Sequence, residues 1–234
     1  MTVFSSSFSS ARVWRQTSHL LPIIAGVGLG LAAIALVTYL LWPTWRTETV
    51  GDPGQLPVSV GGTVFNVPTG AVRMKIQRHS GPQERIDLAF NYPSLTPPLA
   101  PKHITADMVE QAIQPVDRIF LSIAAHHDAL SPESRVRTIY PRYLSDNATQ
   151  LENGLSMRAF REGTPYGGED LFFAATPPLN ARCMRDAETP GTCLSERRIG
   201  GADLTFRFPR SWLSAWRDVA DAMDRLTAQL HAAH

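Results

Sequence analysis

The chain reads as an α+β fold: a single N-terminal transmembrane helix followed by an antiparallel-sheet domain that a long C-terminal amphipathic helix closes. Three patterns lead there. An uncharged apolar run of membrane-spanning length stands near the N-terminus, short segments with alternating apolar residues fill the middle, and apolar residues recur every three or four positions at the end.

A length of 234 residues allows a membrane segment and one domain. With 22 Lys and Arg against 21 Asp and Glu, net charge is +1, so bulk electrostatics give no reason to expect nucleic acid as a partner. Any charged site has to be local.

Residues 1–19 are Ser-rich at their start and read as a cytoplasmic tail. From Leu20 to Trp42 there is no charged side chain, and a helix of roughly 20 residues crosses a hydrocarbon core. The run is longer than the apolar part of a signal peptide, and Pro43-Thr44-Trp45-Arg46 lacks a small-x-small cleavage pattern, so an anchor in the lipid bilayer is expected through residues 20–42. Tyr39, Trp42 and Trp45 suit a headgroup boundary. Arg12 and Arg15 precede the run, whereas Arg46 is followed by Glu48 and Asp52; this asymmetry puts the N-terminus in the cytoplasm and the domain outside. Gly26 and Gly30 form a small-xxx-small pair, extended by Gly28 and Ala32, through which the chain could form a homo-oligomer or meet a partner helix.

Pro and Gly punctuate residues 43–62, which read as a linker, with the domain occupying 63–234. Val72, Met74 and Ile76 alternate with polar residues, as do Ile86, Leu88 and Phe90 beyond Gly81-Pro82, which predicts a hairpin. A short helix is expected over Thr105–Ile113 after a Pro-rich connection. Further strands are expected at Arg118–Ala124, Arg135–Tyr140, Ser156–Arg161 and Leu171–Ala175. A late hairpin runs from Ala181 to about Arg198, and Ala202–Phe208 alternates. After Pro209 the period changes. Trp212, Trp216, Val219, Met223, Leu226 and Leu230 form one stripe of a helix that Ser211 could cap.

Cys183 and Cys193 flank Thr189-Pro190-Gly191, whose Pro and Gly suit a type II turn that would face the two arms. A disulfide is expected, and because disulfides persist in oxidising compartments it agrees with an outward domain. The spacing is not that of a CxxC redox pair. His126-His127-Asp128 holds metal-ligand and acid–base chemistry, but adjacent residues of a strand point to opposite faces, so one histidine at most could join a site with a distant carboxylate. A polar turn is the expectation there, and a solvated turn at Glu169-Asp170. Arg182, Arg185, Arg197, Arg198, Arg207 and Arg210 are interleaved with Asp186, Glu188, Glu196 and Asp203, which reads as a salt-laced solvated face, with binding of anionic lipid by the arginines as a third reading. Asn147-Ala148-Thr149 fits a glycosylation acceptor, which matters only in a eukaryotic secretory pathway.

No GxSxG elbow and no Gly-rich phosphate loop is present; no cofactor and no metal are expected. The layout resembles that of bitopic proteins of the bacterial inner membrane, a likeness of architecture only. The anchor, the lack of catalytic motifs and a domain whose distinctive features are structural lead to the expectation of a periplasmic interaction or assembly module with a membrane or periplasmic protein partner. The alternative is a hydrolase or metal-dependent enzyme using His126 or His127.

Overall fold

The computed structural model describes residues 20–41, 54–99, 116–151 and 153–231. The chain divides into two units, Met1–Arg46 and Thr47–His234. In the first unit, helix α1 covers Leu20–Leu41 without an acidic first turn or a basic last turn. Its described side chains, residues 22–38, are all exposed. Among the described residues no helix is long and apolar enough to cross a membrane. The expected tail, the Arg12 and Arg15 asymmetry and the Trp42 boundary lie outside the described residues.

Among the described residues of the second unit, regular structure begins at Gln55, ahead of the expected start at Thr63. Strands β1 (Gln55–Val60) and β2 (Thr63–Pro68) pair antiparallel, and β3 (Gly81–Gln83) adds to β1 in parallel. Leu56, Val58 and Val60 alternate inward although Pro57 stands within the strand, and Gly61 and Gly62, both at positive φ, make the turn to β2.

Eight strands form the larger sheet: β4 (Arg85–Asn91), β5 (Arg118–Ala125), β6 (Leu144–Gln150), β7 (Ser156–Phe160), β8 (Glu169–Ala174), β9 (Leu179–Met184), β10 (Thr192–Ile199) and β11 (Ala202–Pro209). Their order is β4-β5-β11-β10-β9-β8-β7-β6, and every pairing is antiparallel. From β6 to β11 each strand returns beside the last. β4 and β5 come from earlier in the chain, and β5 fills the place between β4 and β11.

Alternation sends the two faces of this sheet into different cores. On one face Ile86, Leu88, Leu121, Leu204, Phe206 and Phe172 join the smaller sheet and the terminal helix α2 (Trp216–Leu230) in one buried cluster. The helix buries Trp216, Val219, Met223, Leu226 and Leu230, the stripe its spacing predicts. It begins after a 3₁₀ turn, Arg210–Ala215, and Ser211 does not cap it: its carbonyl accepts from the Ser214 hydroxyl at 3.1 Å. Asn153 fixes the approach instead, its amide donating to the Leu213 carbonyl at 3.2 Å while its main-chain carbonyl accepts from the Trp216 indole at 3.2 Å.

On the opposite face, Leu171, next to Phe172 on β8, packs with Tyr140, Leu144 and Phe160 in a second cluster. Its cover is helical, in three short pieces, Pro132–Ser134, Arg135–Ile139 and Tyr140–Arg142. The strand expected at Arg135–Tyr140 is therefore absent. Val136, Ile139 and Tyr140 stand three and four apart, a helical spacing, and the Ser131 hydroxyl accepts from the Ser134 amide at 3.1 Å ahead of Pro132, as an N-cap does.

The first expected hairpin also changes. Val72 bridges Leu88 and the Arg73 amide donates to the Asp87 carbonyl at 2.9 Å, but the chain then turns through Lys75–Gln77. Met74 and Ile76, expected to face the core, are 53% and 80% exposed. Gln77 stabilises the turn: its side-chain carbonyl accepts from the Asp87 amide at 3.0 Å, and its amide donates to the Asp87 carboxylate at 3.3 Å. The helix expected over Thr105–Ile113 lies outside the described residues.

Asp87 links this turn to the sheet. Partial burial pushes its pKa up, but bonds from Arg85, Ser122 and Gln77 outweigh that and hold it below the ordinary carboxylate value. A depressed folded-state pKa contributes stability that is present above the unfolded value, about 3.9, and is lost as pH falls through the folded value. Denaturant unfolding of Asp87→Asn should therefore show its largest deficit against the parent near neutral pH, the gap closing under acid; a gap independent of pH would contradict this ionic role.

Candidate functional site

Three loop tips meet at one end of the domain: Gly61-Gly62 between β1 and β2, His126-His127 after β5, and Gly200-Gly201 between β10 and β11. Two of them touch backbone to backbone. A Cβ on Gly61 would fall 2.0 Å from the Gly201 carbonyl oxygen, and one on Gly201 would fall 1.8 Å from that of Gly61. The Gly201 amide donates to the Thr63 hydroxyl at 2.9 Å, and the Gly201 carbonyl accepts from the His126 amide at 3.1 Å. Loops are ordinarily the mobile part of a fold. Here hydrogen bonds and van der Waals contact tie the tips together.

Between them opens a cleft of about 470 Å³ walled by Ser59, Gln83, Glu84, His126 and His127. Both histidines line it, contrary to the opposite-faces argument. Strand β5 ends at Ala125, and His127 adopts a positive φ of 45°, so the alternation of a strand no longer applies. The expected polar turn is nevertheless where they sit. His127 Nε2 lies 3.2 Å from Glu84 Oε2, with the two side chains 74% and 83% exposed, and His126 Nδ1 meets the His127 carbonyl. Glu84 carries no sequence signal as a site residue: it stands between β3 and β4 with no motif around it. In chemical terms the cleft offers an imidazole, a carboxylate and a hydroxyl in water-open surroundings, suited to hydrogen bonding. Among the described residues no group of three or more His, Cys, Asp or Glu side chains could hold a metal ion.

At the other end of the late strands, Cys183 and Cys193 face each other on β9 and β10 as a buried disulfide, their Cα atoms 3.9 Å apart. By chain entropy a bridge across so short a loop stabilises the fold by about 3 kcal/mol. The nearby Glu169-Asp170 is not a solvated turn. Both residues belong to β8, and Asp170 is only 4% exposed, because Arg185 and Arg210 reach it at 2.9 and 2.7 Å from just past β9 and from beyond β11. Partners 15 and 40 residues away leave no local sequence signal.

The late arginines are laced with carboxylates as expected, though not on one face: Arg197 turns toward α2 over the Phe206 ring, while Arg182 and Arg198 stand on the opposite side of the sheet. Arg198 pairs with Asp203 at 2.7 Å, Arg197 with Asp224, and Arg182 with Glu169 at 2.9 Å. The Glu169–Arg182 contact is close without being aligned as a hydrogen bond, since neither facing atom has a hydrogen-bond partner. Burial accordingly raises the Glu169 pKa despite the guanidinium, which pulls the other way. Of the six late arginines, only Arg207 has no carboxylate partner among the described residues. In α1, a Cβ on Gly26 or Gly30 would meet nothing within 4 Å.

No protein-family model matches the chain, and no curated protein matches its sequence. Among solved structures the fold is similar to Smlt3025, an immunity protein of the Stenotrophomonas maltophilia type IV secretion system. The TM-score is 0.51 at 14% identity, over 79% of this chain and 96% of that one. The iron-regulated outer membrane lipoprotein FrpD of Neisseria meningitidis aligns over 74% of this chain and 92% of its own at 10% identity, with a TM-score of 0.39. That second likeness is too loose to build on. The first extends to the fold.

The loop contact can be tested directly. Gly201→Ala drives a methyl group into the Gly61 backbone, which should cost about 2–3 kcal/mol, whereas a Cβ on Gly163, where nothing stands within 4 Å, meets only the strain of its φ of 76°. Denaturant unfolding of both variants checks this; equal losses would remove the close approach as the cause.

Proposed function

We propose that the chain is a membrane-anchored, outward-facing module that binds a protein partner through the cleft at its loop end. The observation that carries this is the locking of the cleft. A recognition surface whose loops are held before the partner arrives avoids most of the ordering cost of binding, and Ser59, Gln83, Glu84 and His127 present hydrogen-bonding groups on it. The similarity in fold to a secretion-system immunity protein supports an interaction role at a coarse level. The finer parts of the proposal are a periplasmic domain, a bacterial inner membrane and α1 as the span; the uncharged Leu20–Leu41 helix and the disulfide support them.

A hydrolytic reading is kept because His127 and Glu84 stand 3.2 Å apart in the cleft, an orientation suited to a general base with its orienting carboxylate. One experiment separates the readings. With a photocrosslinking residue at position 62 of the full chain in its native cells, a protein adduct should form, and a residue at position 149 on the β6 edge should give none. His127→Asn, which keeps a hydrogen-bonding group and loses the proton relay, should retain most of that adduct. An adduct absent at position 62 would dismiss the binding reading; a phenotype of the Asn variant as severe as deletion, with the adduct intact, would favour the enzyme.

Self-association through α1 belongs to the same proposal. A Cβ on Gly26 or Gly30 meets nothing within 4 Å, which leaves room on this side of α1 for a partner helix. Gly26→Ile with Gly30→Ile should therefore lower the oligomeric state measured in detergent without altering the outer domain's unfolding. An unchanged oligomeric state would remove helix pairing.

A further inference from the structure

We propose that the turn over residues 73–79 docks on the headgroups of an anionic lipid surface. Residues 54–83 contain no Asp or Glu, while Arg73, Lys75 and Arg78 fall within one turn. All three are exposed, as are Met74 at 53% and Ile76 at 80%. Leaving two apolar side chains in water gains the free domain nothing, yet the turn that presents them is pinned from several sides. Gln77 bonds to β4 through both ends of its amide, Arg78 donates to the Val72 carbonyl at 3.0 Å, and Gln83 donates to the carbonyls of Gln77 at 3.1 Å and His79 at 2.7 Å. The Arg73 guanidinium lies over the Phe120 ring, 4.8 Å from its centre. It has no carboxylate partner among the described residues.

Isolated apolar tips between cations are the pattern of an interfacial anchor. The tips enter the boundary between headgroups and acyl chains, while long basic side chains keep their charge among the phosphates. A protein groove would have to offer matched pockets for two separated side chains; a lipid surface takes them without matching. The proposal rests on the reading of α1 as an anchor, which would hold the domain at high effective concentration near that surface.

The test uses the full-length protein carrying Ile76→Cys with an environment-sensitive dye. Both native cysteines are in the buried disulfide, so only the new thiol reacts. The protein is reconstituted in vesicles of phosphatidylcholine alone and of phosphatidylcholine with phosphatidylglycerol. Emission should shift to shorter wavelength only in the anionic vesicles and return in about 1 M salt, where the screening length is about 3 Å. Lys75→Gln should lower the docked-to-free ratio about fivefold. The same dye at Thr149→Cys should read water in both. Water-like emission from position 76 in both lipids would overturn the proposal and leave an acidic protein as the occupant; equal shifts in both would overturn the role of the anion. Resistance of the same vesicles to alkaline carbonate extraction reports on α1 alone, so failure of the anchor and failure of docking are read separately.

Discussion

The domain depends on a sheet that has to be covered on both faces. Eight strands in one sheet expose two apolar surfaces, and neighbouring residues such as Leu171 and Phe172 are buried in separate clusters on opposite sides. The α2 stripe and the small β1-β2-β3 sheet close one side; the helical pieces from Pro132 to Arg142 close part of the other. Removing either cover would leave a broad apolar surface in water, at roughly 25 cal/mol for each Å² exposed. The cleft depends on the first of these covers, because the loops that make it are the ends of strands that the main core holds in register.

That requirement also explains which elements are legible in the sequence. Strands β4, β5 and β11 alternate cleanly because one face of each meets the main core, and α2 shows its 3.6-residue period because it has only one apolar side. Strand β6 gives no such signal: its residues 146–150 are exposed, so no apolar face marks it. β1 is hidden by the Pro and Gly around it. Arg135–Tyr140 imitates a strand through its β-branched and aromatic composition, although Ser131-Pro132 before it carries the signal of a helix start.

The site is legible only in part. His126 and His127 draw attention by composition, but what brings them together is the end of β5 and the left-handed backbone at His127, which no local spacing encodes. Glu84 and the Gly61–Gly201 contact depend on pairings between strands far apart in sequence, as does the Arg185–Asp170–Arg210 cluster that removes Asp170 from solvent. The disulfide is legible because its partners are close in sequence and a Pro-Gly turn lies between them.

The two proposed surfaces share one stretch of chain. Gln83 lines the cleft, and its amide also holds the Gln77 and His79 carbonyls of the basic turn; Glu84 follows at the cleft wall, and Asp87 fixes the turn from β4. β3, which ends at Gln83, pairs with β1 beside Ser59, another cleft residue. The turn and one wall of the cleft are thus a single hydrogen-bonded unit anchored to both sheets. These bonds would favour both proposed roles at once, because side chains ordered before contact lose little further freedom when lipid or protein arrives.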